Sequence, residues 1–268
     1  MKFNVFCIQT CSSNDLESNI KQIDKLFQKI INKKPDLICL PECVAIMTDS
    51  YKLLNKYFSS TKNNLFLDYI KEMSVKLNSY ILIGSIPFKK KGRKFLNRSI
   101  LFDPNGKLVC FYDKKNLFDV ILGKNEKYLE SKLYDSGKSQ KLYSLPWGKI
   151  GLSICYDLRF PEFFRKLTKK GAFFLSVPAA FTLTTGKVHW ESLLRARAIE
   201  NGCYIFAPAQ CGSNSENRQT FGHSMIVDPW GKVIVKAKNK PTIISAEIDV
   251  NYIKEIRKKI PSIVNYNF

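Results

Sequence analysis

Residues 99–110 read SILFDPNGKLVC, and 125 residues later 224–235 read SMIVDPWGKVIV. Each copy sets Asp-Pro-x-Gly between two apolar runs, the signature of a β-hairpin. Proline presets one turn dihedral, and glycine takes the position a side chain disfavours. A looser match, DLICLPEC at 36–43 against FFLSVPAA at 173–180, lies at an offset of 137. Apolar periodicity fills in the elements between. Residues 3–9 alternate as a strand, and 15–33 carry Leu16, Ile20, Ile23, Phe27, Ile30 and Ile31 on one helical face. Pro35 stops that helix before a buried strand at 36–40. A helix at 65–77 and a strand at 80–86 lead into the first hairpin. The order then restarts: strand 149–154, helix 162–170 closed by Gly171, strand 173–177, helix 190–200, strand 204–206, second hairpin. One such unit leaves a sheet face uncovered, and two copies cover each other. The repeat therefore predicts an α/β chain folded as a four-layer α-β-β-α sandwich with internal duplication. No Gly/Ser/Pro-rich linker divides the halves, so 1–268 is expected to be one domain, with its core over about 1–249 and a C-terminal tail at 250–268. The least regular stretch is 119–139, with Gly123, Glu126 and Glu130. Long irregular segments inside compact domains are usually functional or mobile.

Composition narrows the partners. Lys and Arg number 43 against 23 Asp and Glu, a formal charge of +20. Lysine supplies 35 of the 43, and Ile (26) and Asn (19) are abundant with it, the mark of a coding bias rather than of a binding surface. The lysines are spread along the chain with short clusters at 89–91 and 258–259, so no nucleic-acid partner is expected. No apolar run approaches the roughly 18 residues of a membrane span, and the apolar patch at 3–8 is too short for an export signal. Eight scattered cysteines then read as reduced thiols of a cytoplasmic protein. Cys7/Cys11 and Cys39/Cys43 have C-x-x-x-C spacing, but each pair runs through a strand end and the chain has only two histidines, so no metal site is expected.

Reactive groups collect at the C-terminal ends of strands in α/β sheets. Glu42 follows the strand ending Leu40-Pro41, Lys114 follows the hairpin strand, and Cys155 follows KIGLSI. Singly, these read as a helix-start acid, a surface lysine beside Lys115 and a buried core thiol. Together they supply a nucleophile, a proton shuttle and an oxyanion stabiliser, which hydrolysis of an amide requires. Cys155 leaves an apolar strand for YDLRFPE, with Pro161 placed for a first helical turn. A thiol held there is open to a ligand, and nearby N–H groups and cations lend it thiolate character.

LPEC at 40–43, YDKKNLFD at 112–119 and GLSICYDLRFPE at 151–162 resemble the three signature blocks of the nitrilase, or carbon–nitrogen hydrolase, superfamily. The resemblance covers nearly the whole chain. It implies a duplicated α-β-β-α sandwich, a homodimer or higher homo-oligomer, and a Glu–Lys–Cys triad needing no cofactor. On these matches Glu42 takes the general-base role, Lys114 the oxyanion role and Cys155 the nucleophile role. Glu130 in KYLESK matches a second glutamate that positions lysine and substrate. The Tyr156 backbone N–H is expected to join Lys114 at the oxyanion. Two carboxylates around Lys114 would keep it charged against burial. The block at 189–231 resembles the Nit branch of amidases, and AQCG at 209–212 with Glu216 and Arg218 looks most like enzymes that hydrolyse deaminated glutathione. The sister expectation is an ω-amidase acting on 2-oxoglutaramate, or another small-amide or nitrile hydrolase. The loop at 210–221 is the expected shaper of room for the rest of the substrate. Asn116 stands where close relatives often carry histidine, a departure that bears on the hydrogen bonding near Lys114.

Two other readings compete, and three arginines need a role. A Cys–His hydrolase would use His189 or His223. A scaffold protein that has lost activity would not need all four polar site residues, yet all are present. Arg159, four residues past Cys155, either binds a substrate carboxylate bidentately or pairs structurally with Asp157 or Glu162. Arg195 and Arg197 lie two residues apart on a helix and so point to different sides, with a salt bridge expected for Arg197.

Overall fold

Two six-stranded sheets with the same internal order form the centre of the fold. A computed structural model describes residues 1–60, 64–89, 92–123, 126–215 and 218–263. The first half runs β1 (Lys2–Gln9), α1 (Leu16–Phe27), β2 (Leu37–Cys39), α2 (Tyr51–Phe58), α3 (Leu65–Lys76), β3 (Tyr80–Lys89), β4 (Phe95–Phe102) and β5 (Leu108–Asp113). A small hairpin, β6 (Asp119–Gly123) and β7 (Glu126–Leu129), follows. The second half runs β8 (Lys141–Leu145), β9 (Gly148–Leu152), α4 (Pro161–Lys169), β10 (Ala172–Ser176), α5 (Leu183–Asn201), β11 (Tyr204–Ala207), β12 (Cys211–Ser215), β13 (Arg218–Phe221), β14 (Met225–Val227) and β15 (Val233–Lys236). β16 (Thr242–Asp249) and α6 (Val250–Lys259) come last.

One sheet has the order β16-β1-β2-β3-β4-β5 and the other β8-β9-β10-β11-β14-β15. In both, three parallel strands sit beside an antiparallel hairpin and carry an antiparallel strand on the other edge. The hairpins β4–β5 and β14–β15 are the two DP-x-G repeats. The duplication predicted from those repeats therefore extends through the whole sheet. Its one exception is connectivity: β8 enters its sheet immediately before β9, whereas β16 is delivered to β1 from the far end of the chain.

Strand alternation sorts the core into layers. On β1, Phe3, Val5 and Cys7 face the second sheet and share a cluster with Phe174 and Phe206. Phe6 and Ile8 face outward and pack with Ile23, Phe27 and Ile70 of α1 and α3. Phe3 stands 5.1 Å from the Phe174 ring and 4.3 Å from Trp147, so it joins the two sheets. Burying such a side chain stabilises the fold by about 1.5–3 kcal/mol. α4 and α5 cover the outer face of the second sheet, with Phe164, Leu167, Trp190 and Leu194 buried there.

Caps set several helix ends. Asp15 accepts from Ser18 N at 2.8 Å to start α1. Thr182 caps α5, and Gly202 ends it with a φ of +52°. α5 thus begins seven residues before the expected 190, because its first two turns, LTTGKVH, lack an apolar stripe. Residues 119–139 are also more regular than expected, forming β6–β7 and a 3-10 turn at Glu130–Lys132. Of the expected tail, 250–259 is helical and buries Val250, Ile253 and Ile256.

Candidate active site

The loop after β2 carries Glu42, and hydrogen bonds to β3 hold it. Leu40 N donates to Leu82 O at 2.8 Å, Cys43 N to Ser85 Oγ at 2.9 Å, and Val44 N to Ser85 O at 3.2 Å. A bulge in β3 between Ile83 and Ile86 makes this possible. Gly84 lies inside it, where a Cβ would run into Leu40 O, so the close approach requires glycine. The Glu42 carboxylate is buried and fully engaged. Oε1 accepts from Lys114 Nζ at 2.8 Å and Asn97 Nδ2 at 3.1 Å, and Oε2 accepts from Ala180 N at 2.9 Å.

Lys114 follows β5 and is buried, with its N–H donating to Asn97 O at 2.9 Å. Its ammonium also donates to Glu130 Oε2 at 2.9 Å. Glu130 accepts in addition from Phe118 N at 2.7 Å and Asn97 Nδ2 at 2.9 Å. Burial acts against the charge on Lys114, but Glu130 and Glu42 together outweigh it and hold the ammonium's pKa well above the ordinary range. Lys115, its neighbour, is exposed.

Cys155 follows β9 with a left-handed φ of +46°, and its N–H donates to Pro178 O at 2.8 Å. A cysteine held there costs on the order of 1–3 kcal/mol of backbone strain, sustained by the surrounding bonds. A 3-10 turn runs from Cys155 to Arg159. Asp157 ties that turn to the lysine segment. It accepts from Ile154 N at 2.9 Å, Tyr112 OH at 2.7 Å, Asn116 N at 3.1 Å and Asn116 Nδ2 at 2.8 Å. Tyr112 and Asn116 flank Lys114, so one buried carboxylate registers the thiol against the ammonium. Asn116 thus makes a defined pair of bonds despite its departure from the family residue.

The expected thiolate character of Cys155 does not appear in the resting site. Burial, and then the charge of Glu42, push the thiol's pKa well above its ordinary 9.0, against the opposing pull of Lys114. The carboxyl of Glu42 goes the other way: burial raises it, but Lys114 and the remaining partners bring it below 4.5. The site thus sets a neutral thiol beside an ionised carboxylate, the pairing that a base-activated thiol nucleophile requires.

Glu42, Lys114, Glu130, Cys155, Tyr156 and Arg159 all line one cavity of about 470 Å³. Arg159 pairs with neither Asp157, whose oxygens are taken, nor Glu162. Its Nη2 lies 3.2 Å from His189 Nδ1, and its guanidinium is 5.8 Å from the Tyr156 ring and 5.6 Å from that of Phe181. Neither histidine lines the cavity: His223 stacks on Phe221 at 4.1 Å, and its carbonyl accepts from Trp190 Nε1. The Cys–His arrangement is therefore not assembled. Arg197 bonds Leu158 O and Glu200, while Arg195 bonds Gly231 O from the other side of the helix. Glu216 lies outside the described residues.

Sequence reasoning missed Asn97, the Ala180 N–H and the position of Arg218 in the cavity wall. Backbone donors leave no residue signature, and one asparagine among 19 carries no signal.

Residues 5–258 match the profile of the carbon-nitrogen hydrolase family. A deaminated glutathione amidase from Synechocystis is 40% identical over 261 residues, 96% of this chain and 95% of that protein. An omega-amidase from Xenopus tropicalis is 34% identical, over 97% of this chain and 93% of its own length. The crystal structure of the C. elegans NitFhit protein superposes with a TM-score of 0.93 at 34% identity, covering 99% of this chain, which spans 65% of that longer one. The chain belongs to the carbon-nitrogen hydrolase family and is a hydrolase of carbon–nitrogen bonds other than peptide bonds.

Proposed function

We propose that this protein is an amidase that cleaves a small 2-oxo-acid amide through a cysteine thioester, with deaminated glutathione as its substrate. The observation that carries the reading is the buried Lys114 ammonium, clamped by Glu42 and Glu130 in the cavity that Cys155 lines. Glu42 takes the Cys155 proton as sulfur attacks the amide carbon. The oxygen becomes negative in a tetrahedral intermediate, and Lys114 with the Tyr156 N–H stabilises it. One such donor is typically worth roughly 10²–10³ in rate. Glu42 then hands the proton to the leaving nitrogen, the C–N bond breaks and a thioester remains. Water, deprotonated by Glu42, attacks the thioester carbon. The acid departs and the thiol recovers its proton. Glu130 positions Lys114, and Arg159 binds the 2-oxo-acid carboxylate.

We take 1–268 as one domain working in the cytoplasm without a metal or organic cofactor. Among the described residues no helix is long and apolar enough to cross a membrane. We propose a homodimer; the groove lined by Ile199, Trp230 and Ile260, all exposed and apolar, supports a subunit contact.

The ω-amidase reading shares this machinery. The two separate on kcat/KM for deaminated glutathione and 2-oxoglutaramate, measured with one enzyme preparation. Deaminated glutathione should lead by at least ~10-fold, about 1.4 kcal/mol of transition-state binding. Equal values, or the reverse order, sink the substrate assignment. Cys155→Ala should remove turnover in a folded protein, and retention of more than about one per cent defeats the mechanism.

A further inference from the structure

The cavity holds a second guanidinium for which the mechanism has no use. Arg218, the first residue of β13, lines it together with Cys155, Glu42 and Arg159. Its Nε is buried and has no hydrogen-bond partner among the described residues. Its guanidinium stands 5.6 Å from the Tyr128 ring, a contact that satisfies no N–H. A guanidinium carries five donors, no acceptor and a permanent charge, so a buried unpaired Nε calls for an anion. The nearby acids do not serve. Both oxygens of Glu42 are occupied, and Glu130 is taken by Lys114, Asn97 and Phe118. Asp49, at the cavity wall, is exposed and makes no ion pair with Arg218 among the described residues.

The two arginines also differ in where they stand. Arg159 sits on the same short turn as Cys155, the sulfur that keeps the acyl half. Arg218 stands instead on β13, in the cavity wall that it shares with Asp49 and with Glu42, the group that protonates the leaving nitrogen in the proposed mechanism, and the negative charges of those two carboxylates act on it. We propose that Arg218 binds a carboxylate on the leaving-amine half of a substrate that carries one carboxylate at each end, while Arg159 takes the one on the acyl half. This rests on the amidase reading above. Deaminated glutathione has both carboxylates, one on its 2-oxo acid and one at the end of its peptide. 2-Oxoglutaramate has only the first. Arg218 is then the residue that makes the two substrates unequal.

The test compares deaminated glutathione with the same compound bearing a C-terminal carboxamide. The wild-type enzyme should prefer the free acid by about 10- to 100-fold in kcat/KM, chiefly through KM, as expected for a buried charge-assisted bond. Arg218→Gln should collapse that acid-to-amide ratio to about one, whereas Arg159→Gln should lower both rates and keep the ratio. Equal wild-type rates on acid and amide overturn the assignment without any variant. So does an Arg218→Gln enzyme that loses rate on both compounds alike and keeps the ratio. A wild-type enzyme that cleaves 2-oxoglutaramate but not deaminated glutathione overturns the substrate reading, and this assignment with it. One that cleaves deaminated glutathione but ignores its terminal charge overturns this assignment alone.

Discussion

Asn97 holds Glu42 and Lys114 at once: its side-chain amide donates to Glu42 Oε1 at 3.1 Å, and its backbone carbonyl accepts the Lys114 N–H at 2.9 Å. The other amide hydrogen goes to Glu130 Oε1 at 2.9 Å. One residue of β4 therefore sets the spacing of all three charged groups. Asn97→Ala removes two bonds to carboxylates, each worth about 1.5–3 kcal/mol. We expect kcat to fall by about 10- to 100-fold with a small change in KM, since the substrate's own contacts stay in place. Losing a donor to the Glu42 carboxylate should also move the acid limb of the pH profile upward. A fall in melting temperature with kcat and the pH profile intact would reduce Asn97 to a packing role.

Lys114 and Lys115 are adjacent in sequence and opposite in circumstance. The first is buried between two carboxylates; the second is exposed, with its backbone N–H donating to Tyr112 OH. Lys114→Ala should cost at least ~10²-fold in kcat, because it removes the proposed oxyanion donor and leaves two carboxylates facing each other. Lys115→Ala should stay within a few-fold of wild type, as surface substitutions do. Rates measured on purified, folded variants decide between them. The opposite ranking would shift the motif by one residue.

The pH profile follows from the directions of two shifts. Glu42 must be ionised to accept a proton, and its carboxyl lies below the ordinary 4.5, so it stays a base as pH falls to that value. Cys155 lies well above the ordinary 9.0, so the thiol is still the ground form there. The kcat/KM profile should therefore be flat between these two values, with its acid limb below the lower one. A wild-type acid limb above pH 4.5 would contradict this charge assignment.

How much of this was legible without coordinates differs from element to element. The two DP-x-G hairpins, the alternation on β1 and the helical stripe expected over 15–33, of which Leu16–Phe27 is helix and the rest turn, are local patterns, written in residues that neighbour one another. They were enough to predict the duplicated sandwich. Glu42, Lys114 and Cys155 could be picked out because each follows a strand and lies in a motif of the family. The tertiary structure alone decided the rest. Glu42 Oε2 is held by the Ala180 N–H, 138 residues away, and β16 returns across nearly the whole chain to flank β1. The first of these contacts uses a backbone group that every non-proline residue has, and the second uses an ordinary alternating strand. Neither leaves a mark in residue type. The same holds for Arg159 and Arg218. Their sequence motifs name them, but only packing shows that Asp157 is already engaged, that Arg159 faces His189, and that Arg218 stands in the wall of the Cys155 cavity with its Nε buried. Local sequence records what a segment favours; the pairing of distant segments is set by closure of the two sheets over one core, and that closure built the cavity.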